Sequence, residues 1–381
     1  MTDLQCKTCG GCPLRGLEEI EYRKNKVSKF KDIISKIKDA SVCYDDPIFI
    51  KDGLRRRAEL AFVYNKKELK LGFNERESHN IVNIDKCYML DEDLSCLLTN
   101  IYRFLKEFTS IPVVVKNKKK KIETNYIKEG SVRLLKADNG VDVLLILPFE
   151  PTVEHRMLIA EFINSHDTII RISWQINNNY SEEIVTKAKP KLYISEYVVD
   201  IPSGAFLQAS KDAEEKMINK VIEYMGDCSG NIADLFCGLG TFTYPLSKIQ
   251  GCNILSVDSS DISLKGLEKA LAFNQIHNVK VLNKNLFKYP LDKDELKTIS
   301  AIVIDPPRAG AHAQCQEIAS LPEEVKPQKI VYVSCNPKTF VYDASMLISA
   351  NYKLEKITLV DQFVYSEHME LIALFSLTPN K

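Results

Sequence analysis

Residues 231–240 read NIADLFCGLG, an apolar run that ends in a glycine-rich turn. Glycines at such a turn let the backbone approach a ligand closely. Further apolar runs follow at residues 254–257, 279–282, 301–304, 330–333, 354–360 and 371–375. Helix-length segments separate most of them, an alternation typical of right-handed βαβ units. The sequence therefore predicts a doubly wound α/β fold with a mostly parallel sheet, similar to a Rossmann fold, over residues 204–381.

The turn itself indicates the kind of ligand. Its pattern is Gly238-x-Gly240-x-x-Thr243, so the third glycine of a dinucleotide-binding turn is missing. Asp258 ends the second strand, where an acidic residue can accept hydrogen bonds from two ribose hydroxyls. These residues favour a nucleoside without a pyrophosphate. Another nucleotide site and a purely structural turn remain as alternatives.

Two proline-containing turns follow neighbouring strands. Asp305-Pro306-Pro307-Arg308 follows one strand and Ser334-Cys335-Asn336-Pro337 follows the next. Parallel neighbours bring both turns to the edge of the sheet that holds the glycine turn. There Cys335 is expected to be partly exposed and near Arg308, a setting that favours a thiolate. A buried, inert cysteine is the alternative.

A carboxylate opens the final strand. His368-Met369-Glu370 precedes the apolar run at residues 371–375. An acidic residue there is costly unless it faces a cavity or has a partner. Glu370 is therefore a candidate general base, and a surface carboxylate paired with a lysine is the alternative.

The chain of 381 residues has a formal net charge of zero, which argues against a uniformly basic nucleic-acid-binding surface. No signal peptide or membrane-length apolar run is visible, so we expect a cytoplasmic protein without disulfides among its 11 cysteines. We expect three regions: a Cys-rich segment and helix (1–44), a mixed α+β region (45–203) and the α/β domain (204–381).

Three cysteines stand close together near the N-terminus. Cys6, Cys9 and Cys12 are spaced C-x2-C-x2-C, and two glycines separate the last two. This spacing is typical of iron–sulfur ligation rather than of zinc sites, which use separated pairs; zinc remains the alternative. It differs from the C-x3-C-x2-C of radical-SAM enzymes. A fourth ligand is required.

Local basic clusters are the candidates for binding nucleic-acid phosphates in a neutral chain. They are Arg55-Arg56-Arg57, the run at residues 116–121, and Lys24, Lys26 and Lys29 on a helix predicted over residues 17–38. The central region also predicts a hairpin at Asp138-Asn139-Gly140 and helices at residues 101–108 and 157–163.

From about residue 204 onward the chain resembles the RNA uracil-C5 methyltransferases, which are class I S-adenosylmethionine-dependent enzymes. Five motifs carry the resemblance in that family's order and spacing: Phe206-Leu207-Gln208, Asp234–Gly240, Asp305–Arg308, Ser334–Pro337 and His368-Met369-Glu370. The resemblance implies that a uracil in RNA is methylated at C5. The sequence departs from the family in having Asp258 for the usual Glu and Thr241 for the usual Asn.

The resemblance also implies the role of each residue. Cys335 would be the nucleophile that attacks C6 of the uracil, and Glu370 would be the base that removes the C5 proton. Asp305 and Gln208 would hold the uracil edge and the amino-acid end of S-adenosylmethionine. The expected cofactor-binding residues are Gln208, Phe236, Gly238, Gly240, Thr241, Asp258, Asn285 and Asp305.

Family members with a cluster take its fourth ligand from a cysteine in the context G-F…S-H…I-V…C. Gly72-Phe73, Ser78-His79, Ile81-Val82 and Cys87 match this context. The resemblance thus implies a [4Fe–4S] cluster on Cys6, Cys9, Cys12 and Cys87, with Cys96 as the reserve fourth ligand.

The same resemblance bears on the substrate. Many relatives begin with an RNA-binding β-barrel domain, whereas this chain begins at the cysteine cluster. A cluster without a barrel most resembles the enzymes that methylate 23S ribosomal RNA; enzymes acting on the tRNA T-loop come second. Neither a protein partner nor a membrane is indicated.

Two other functions remain as alternatives. A cytosine-C5 RNA methyltransferase would show two working cysteines, in P-C and T-C motifs, and this chain has only the S-C-N-P one. A non-catalytic RNA-binding iron–sulfur module would not need Cys335, Glu370, Asp305 and the glycine turn together.

Overall fold

The computed structural model describes residues 6, 8–38, 42–65, 68–116, 122–177 and 181–378. The chain divides into two compact units. The central unit comprises Met1–Arg15, Lys51–Leu192 and Asp200–Lys211, and the C-terminal unit comprises Gly16–Ile50, Tyr193–Val199 and Asp212–Lys381. None of the helices in the described part of the chain has the length and apolar character needed to span a membrane.

This division differs from the predicted boundaries after residues 44 and 203. The cysteine loop belongs to the central unit. There Gly10 N–H donates to Asn74 O at 3.0 Å, and Cys9 forms an isolated antiparallel β-bridge with Glu75. The helix that follows the loop belongs to the C-terminal unit instead, because Phe30 and Ile34 pack into the core of that unit. The sequence pattern identified the helix but not the core that buries its apolar side.

The helices in the described residues include those predicted at residues 17–38, 101–108 and 157–163, although the second of these begins nine residues earlier than predicted. They are α1 (Glu19–Ile34), α2 (Glu92–Phe108), α3 (Val153–Asn164), α4 (Lys211–Met225), α5 (Thr243–Ser247), α6 (Asp261–Phe273), α7 (Lys293–Leu296), α8 (His312–Ser320) and α9 (Pro337–Ser349), with a 3₁₀ turn at Glu323–Val325. Side-chain caps fix several of their starts. Asp91 caps α2, and Asn336 caps α9 with Pro337 in its first turn.

The strands fall into two large sheets and two hairpins. They are β1 (Cys43–Tyr44), β2 (Ile48–Phe49), β3 (Arg57–Asn65), β4 (Glu68–Asn74), β5 (Ile81–Asn83), β6 (Pro112–Lys116), β7 (Ile122–Tyr126), β8 (Glu129–Ala137), β9 (Gly140–Leu147), β10 (Ile169–Ile176), β11 (Glu182–Thr186), β12 (Lys191–Ile194), β13 (Tyr197–Asp200), β14 (Gly230–Leu235), β15 (Cys252–Asp258), β16 (Val279–Asn283), β17 (Ile299–Ile304), β18 (Lys329–Ser334), β19 (Tyr352–Asp361) and β20 (Glu370–Leu377). The hairpins are β6–β7 and β12–β13.

The central unit is built on a seven-stranded sheet in the order β11-β10-β9-β8-β3-β4-β5. All its pairs are antiparallel except β9–β10. Its core includes Leu60 and Leu145 from the sheet and Leu98 and Leu105 from α2. The predicted hairpin at residues 138–140 is confirmed, because it joins β8 to β9. The central region is therefore the mixed α+β structure that the sequence predicts.

The C-terminal unit is built on a nine-stranded sheet in the order β1-β19-β20-β18-β17-β14-β15-β16, with β2 also paired to β19. Strands β14 to β18 are parallel to one another, whereas β20 runs antiparallel to both β18 and β19. This confirms the predicted doubly wound, mostly parallel sheet. The strand order reverses between β14 and β17, and open α/β sheets bind ligands at the carboxyl ends of strands at such a point.

Candidate active site

Five of the residues singled out from the sequence lie at one edge of the C-terminal sheet. Phe236 follows β14, Asp258 ends β15, Asp305 follows β17 and Cys335 follows β18. Glu370 reaches the same edge from the opposite direction, because β20 is antiparallel to β18 and pairs Leu371 with Ser334. The sheet topology alone therefore brings the predicted cofactor turn, nucleophile and base together.

The glycine turn has a backbone that most side chains do not tolerate. Phe236, Gly238 and Gly240 have φ angles of 62°, 54° and 94°. A Cβ on Gly240 would lie 2.7 Å from Leu267 Cδ1, so both the conformation and the space require glycine there. The half-buried Thr241 follows directly.

Asp258 organises this turn. Its Oδ2 accepts a hydrogen bond from Gly238 N–H at 3.0 Å, and its Oδ1 accepts one from Ser260 N–H at 2.8 Å. A carboxylate has about four lone-pair sites, so these bonds leave acceptor capacity for a ligand hydroxyl. Asp258 therefore holds the turn in shape as well as presenting acceptors at the end of β15.

The carboxyl group of Asp234 has no role that its sequence motif indicated. Asp234 is fully buried, and its Oδ2 accepts a hydrogen bond at 2.5 Å from Thr243 Oγ1, which also lies 2.9 Å from Ser256 Oγ. Burial raises the pKa of Asp234 to about 7, with smaller contributions from Asp305 and Asp258. An acidic residue at the end of an otherwise apolar strand was the signal for this buried polar cluster.

An aromatic pair borders the turn. The rings of Phe236 and Phe287 are 5.4 Å apart at 53°, and Phe287 is 46% exposed. Asn285 Oδ1 accepts hydrogen bonds from the N–H groups of Phe287 at 3.1 Å and Lys288 at 3.3 Å, so it shapes the segment that carries Phe287. Asn285 was expected to bind the cofactor directly; its described contacts support the aromatic pair. Phe287 lies outside the motifs, and no sequence pattern indicated it.

Cys335 is half-buried, and its protonation differs from the expectation. Burial raises the pKa of its thiol to about 11, and Glu370 and Asp305 raise it further than Arg308 lowers it. The expectation that the thiolate predominates is therefore wrong for the free protein, because burial and two carboxyl groups outweigh the stabilisation that Arg308 provides. The thiol is predominantly protonated at neutral pH.

The two carboxyl groups influence one another as well as the thiol. Burial raises the pKa of Asp305 well above its ordinary value, and the charge of Glu370 adds to this shift. Glu370 is 2% exposed, and its Oε2 accepts a hydrogen bond from Gln362 Nε2. Glu370 is thus a buried, hydrogen-bonded carboxyl group beside the thiol, and not a surface carboxylate.

Side-chain hydrogen bonds join the two proline-containing turns. Asn336 Nδ2 donates to Arg308 O at 3.0 Å, and Thr339 Oγ1 donates to the same carbonyl at 3.3 Å. The Arg308 side chain lies 3.3 Å from His368 Nε2. Residues from three of the sequence motifs are therefore held to one another around Cys335.

Gln208 belongs to the central unit. It is 7% exposed, and its backbone carbonyl accepts a hydrogen bond at 2.9 Å from Nε of the buried Arg56. In the same unit, Phe206 is 62% exposed and the Arg57 guanidinium lies 4.0 Å from its ring centroid. Arg56 is thus unsuited to contact RNA phosphates, because burial fixes it inside the unit.

The N-terminal cysteine loop forms a second group of thiols, within the central unit. Burial raises the pKa of Cys12 to about 12, with additional contributions from Cys87 and Cys9. Burial also raises the pKa of Cys9, and Cys87 and Cys6 contribute. Within the described ranges, no three His, Cys, Asp or Glu side chains form a group that could hold a metal ion. The four thiols expected as ligands nonetheless lie near enough to act on one another electrostatically.

The remaining basic candidates have different environments. Lys26 is buried and pairs with Asp361 at 2.9 Å, so its expected contact with RNA phosphates is wrong. Lys29 is exposed and lies 3.5 Å from Glu367, and Lys24 is exposed. Residues 117–121 of the predicted basic run lie outside the described residues.

Comparisons with known proteins identify the family that this chain resembles. A sequence profile for the family described as tRNA (uracil-5-)-methyltransferase matches residues 172–377. An uncharacterized RNA methyltransferase of Zymomonas mobilis is 31% identical over 372 residues, which are 97% of this chain and 86% of the relative. A 23S rRNA (uracil(1939)-C(5))-methyltransferase of Shewanella halifaxensis is 29% identical over 381 residues, covering 97% of this chain and 80% of the relative.

A solved structure has a similar fold. The Pyrococcus abyssi tRNA (uracil-54, C5)-methyltransferase, determined in complex with S-adenosyl-L-homocysteine, superposes with a TM-score of 0.71. It is 23% identical, and the match covers 96% of this chain and 85% of that one. The likeness therefore extends over both units of the chain.

Proposed function

The chain belongs to the family of tRNA (uracil-5-)-methyltransferases, which are RNA uracil-C5 methyltransferases, and from this premise we propose that it methylates a uracil of 23S ribosomal RNA through Cys335. The observation that carries the proposal is the convergence of Cys335, Glu370 and Asp305 at one sheet edge, with a nucleoside-type glycine turn beside them.

Cys335 would be the nucleophile. It would lose its proton to water, and its Sγ would form a bond to C6 of the uracil while the C5–C6 π electrons shift to C5 and onto the C4 carbonyl oxygen, which gives an enolate. A target inside a helical stem must first be unstacked to come within reach of Sγ. Since the pKa of the free thiol is about 11, the thiolate is scarce but strongly nucleophilic.

S-adenosylmethionine, when bound, supplies a methyl group that C5 takes by in-line displacement. Glu370 would then remove the C5 proton, and the Sγ–C6 bond would break as the C5–C6 double bond returns. Asp305, whose raised pKa favours a protonated carboxyl group, would donate a hydrogen bond to the uracil edge. Gln208 would share the role of holding uracil and cofactor.

The fit of the cofactor rests on the turn. Gly238 and Gly240 give the backbone the curvature for a nucleoside, and Phe236 with Phe287 offers an aromatic surface for its base. Asp258 would accept ribose hydroxyls, and Thr241 and Asn285 would complete the site.

We also propose a [4Fe–4S] cluster held by Cys6, Cys9, Cys12 and Cys87. The chemistry of the donors fits, because four thiols from a glycine-rich loop and from the segment after β5 act on one another. Bound there, the cluster would tie the N-terminal loop to the central sheet.

Ribosomal RNA is the preferred substrate because curated relatives named for 23S rRNA span 97% of this chain. A tRNA T-loop uracil is the second candidate, favoured by the family's description and by the substrate of the P. abyssi enzyme. The decisive experiment incubates the purified protein with S-adenosylmethionine and with rRNA or tRNA from cells lacking the gene, and maps 5-methyluridine. Product in tRNA alone would overturn the rRNA assignment, and product in neither would overturn the function.

Two variants test the mechanism. Cys335→Ala should lower kcat by about four orders of magnitude while S-adenosylmethionine still binds, since the thiol acts on the base. Glu370→Gln should trap a denaturation-resistant protein–RNA adduct, because methylation proceeds but the C5 proton has no acceptor. Turnover within tenfold of the parent in Cys335→Ala would exclude the covalent mechanism.

A further inference from the structure

A buried amide stands next to the proposed base. Gln362 is 6% exposed, and its Nε2 donates a hydrogen bond to Oε2 of Glu370. Val360 pairs with Glu370 across β19 and β20, so Gln362 lies just beyond the end of that ladder. A hydrogen bond donated to a carboxylate favours its ionised form and fixes its orientation. Both effects serve a group that must accept a proton from one particular carbon atom.

Gln362 is held in place through its neighbour in the chain. Asp361, the last residue of β19, is fully buried. Tyr22 Oη donates to Asp361 Oδ2 at 2.5 Å, and Lys26 Nζ lies 2.9 Å from Asp361 Oδ1. Both donors come from helix α1, which lies more than 300 residues earlier in the chain. Helix α1 thus anchors the end of the strand from which Gln362 extends.

The same two side chains also fix the segment between Gln362 and Glu370. Lys26 Nζ donates to Ser366 O at 2.7 Å, and Tyr365 N–H donates to Tyr22 Oη at 2.9 Å. The rings of Tyr22 and Tyr365 are 4.9 Å apart. Tyr365 has a φ of 58°, a conformation that a non-glycine residue keeps only when its surroundings impose it.

The energetics favour a positioning role over a stabilising one. Burial lowers the pKa of Lys26, and the attraction of Asp361 only partly opposes this shift. A buried ion pair often contributes little net stability, because desolvation of the two charges offsets their attraction. Its better-attested use is to specify one arrangement of the chain. Here the specified arrangement is the segment that ends at Glu370.

We propose that Gln362 is a positioning residue for Glu370, and that Tyr22 and Lys26 fix Gln362 through Asp361. The inference rests on the proposed role of Glu370. In the step it serves, Glu370 takes the proton from C5, the C5–H electrons re-form the C5–C6 double bond, and the Sγ–C6 bond breaks to release Cys335. A misplaced carboxylate slows this step, whereas attack of Sγ at C6 does not use Glu370 as a proton acceptor.

The test replaces Gln362 by methionine, which has a similar length and no donor. In Gln362→Met we expect kcat to fall about thirtyfold, and the fraction of enzyme trapped as a denaturation-resistant adduct at steady state to rise about tenfold. A merely structural role would lower kcat through loss of active enzyme without accumulation of adduct. The absence of added adduct in Gln362→Met would overturn the proposal.

Matched variants test the anchor. Tyr352 and Lys326 are also buried in the C-terminal unit, and they donate to Pro327 O at 2.8 Å and Ala350 O at 2.9 Å. Tyr22→Phe and Lys26→Met should accumulate adduct, whereas the controls Tyr352→Phe and Lys326→Met should lower Tm without doing so. Equal adduct in all four variants, or in none, would contradict the anchor.

The parent protein and Glu370→Gln distinguish the possible failures. If Glu370→Gln traps an adduct and Gln362→Met does not, the positioning role alone is wrong. If the parent enzyme forms no 5-methyluridine and Glu370→Gln traps nothing, the proposed function fails first.

Discussion

The thiols of Cys335 and Cys12 both have raised pKa values, and they differ in the neighbouring groups that add to the effect of burial. Burial is the largest cause for both Cys335, with a pKa of about 11, and Cys12, with a pKa of about 12. At Cys335 the next causes are the carboxyl groups of Glu370 and Asp305. At Cys12 they are the neighbouring thiols of Cys87 and Cys9.

This difference suits two kinds of chemistry. Carboxyl groups beside Cys335 favour the protonated form of the free thiol and can exchange protons with a bound uracil. Such groups suit a nucleophile that must later be released from the uracil. Neighbouring thiols around Cys12 disfavour one another's ionised forms, and a bound cation would relieve all of them at once. The same direction of pKa shift therefore fits catalysis in one region and metal binding in the other.

The prediction with the largest expected effect concerns the N-terminal thiols. Anaerobically purified protein should contain about four irons per chain. Cys9→Ser or Cys87→Ser should remove almost all of this iron, because each loses one of the proposed ligands. The measurement is iron content together with the visible absorption spectrum.

Cys96→Ser is the matched control, since Cys96 is an exposed thiol on α2, nine residues after Cys87. It should leave the iron content unchanged. One zinc and no iron in the parent protein would reverse the choice of metal. Loss of iron in Cys96→Ser, with iron retained in Cys87→Ser, would move the fourth ligand.

A smaller effect tests the carboxyl groups at Cys335. Its raised pKa means that the thiolate fraction grows about tenfold per pH unit up to about pH 11. Glu370→Gln removes the larger of the two charge contributions, so the pKa of Cys335 should fall. Because nucleophilicity falls with pKa, the alkylation rate at pH 8 should rise only about threefold per unit of pKa.

Mass spectrometry of residues 330–338, which contain a single cysteine, measures this alkylation. Asp305→Asn should have a smaller effect than Glu370→Gln, because Asp305 is the later cause and its own raised pKa keeps it largely protonated. A rate that is slower in Glu370→Gln than in the parent would contradict the assigned electrostatics.

The sequence predicted this sheet edge because parallel strands bring consecutive turns to one side. Asp258, Asp305 and Cys335 each stand at a strand end, so periodicity was enough to place them. Glu370 was also placed, because it is an acidic residue at the start of an apolar strand and so needs a cavity or a partner. Local patterns suffice where the geometry follows from the sheet.

Contacts between distant parts of the chain were not predictable in this way. Lys26 and Arg56 looked like surface cations, but long-range partners bury them. Gln362 and Phe287 carry no motif, and only the folded chain shows what they touch. The domain boundary after residue 44 differs for the same reason, because α1 packs into a core built by strands far later in the chain.

The smallest expected effect concerns the cation beside each thiol. Arg308 lowers the pKa of Cys335, and Arg15 and Arg55 lower that of Cys12, in each case after the larger causes that raise it. Arg308→Leu should therefore slow alkylation of Cys335 at pH 8 by about twofold, since less thiolate is present. Arg308→Lys keeps the charge and should stay near the parent rate.

The backbone carbonyl of Arg308 keeps its hydrogen bonds from Asn336 and Thr339 in either variant, which separates charge from the shape of the turn. Because the arginine is exposed, added salt should reduce the difference between the two variants. A twofold loss shared equally by Arg308→Leu and Arg308→Lys, and insensitive to salt, would show that the side chain acts through its contact with His368.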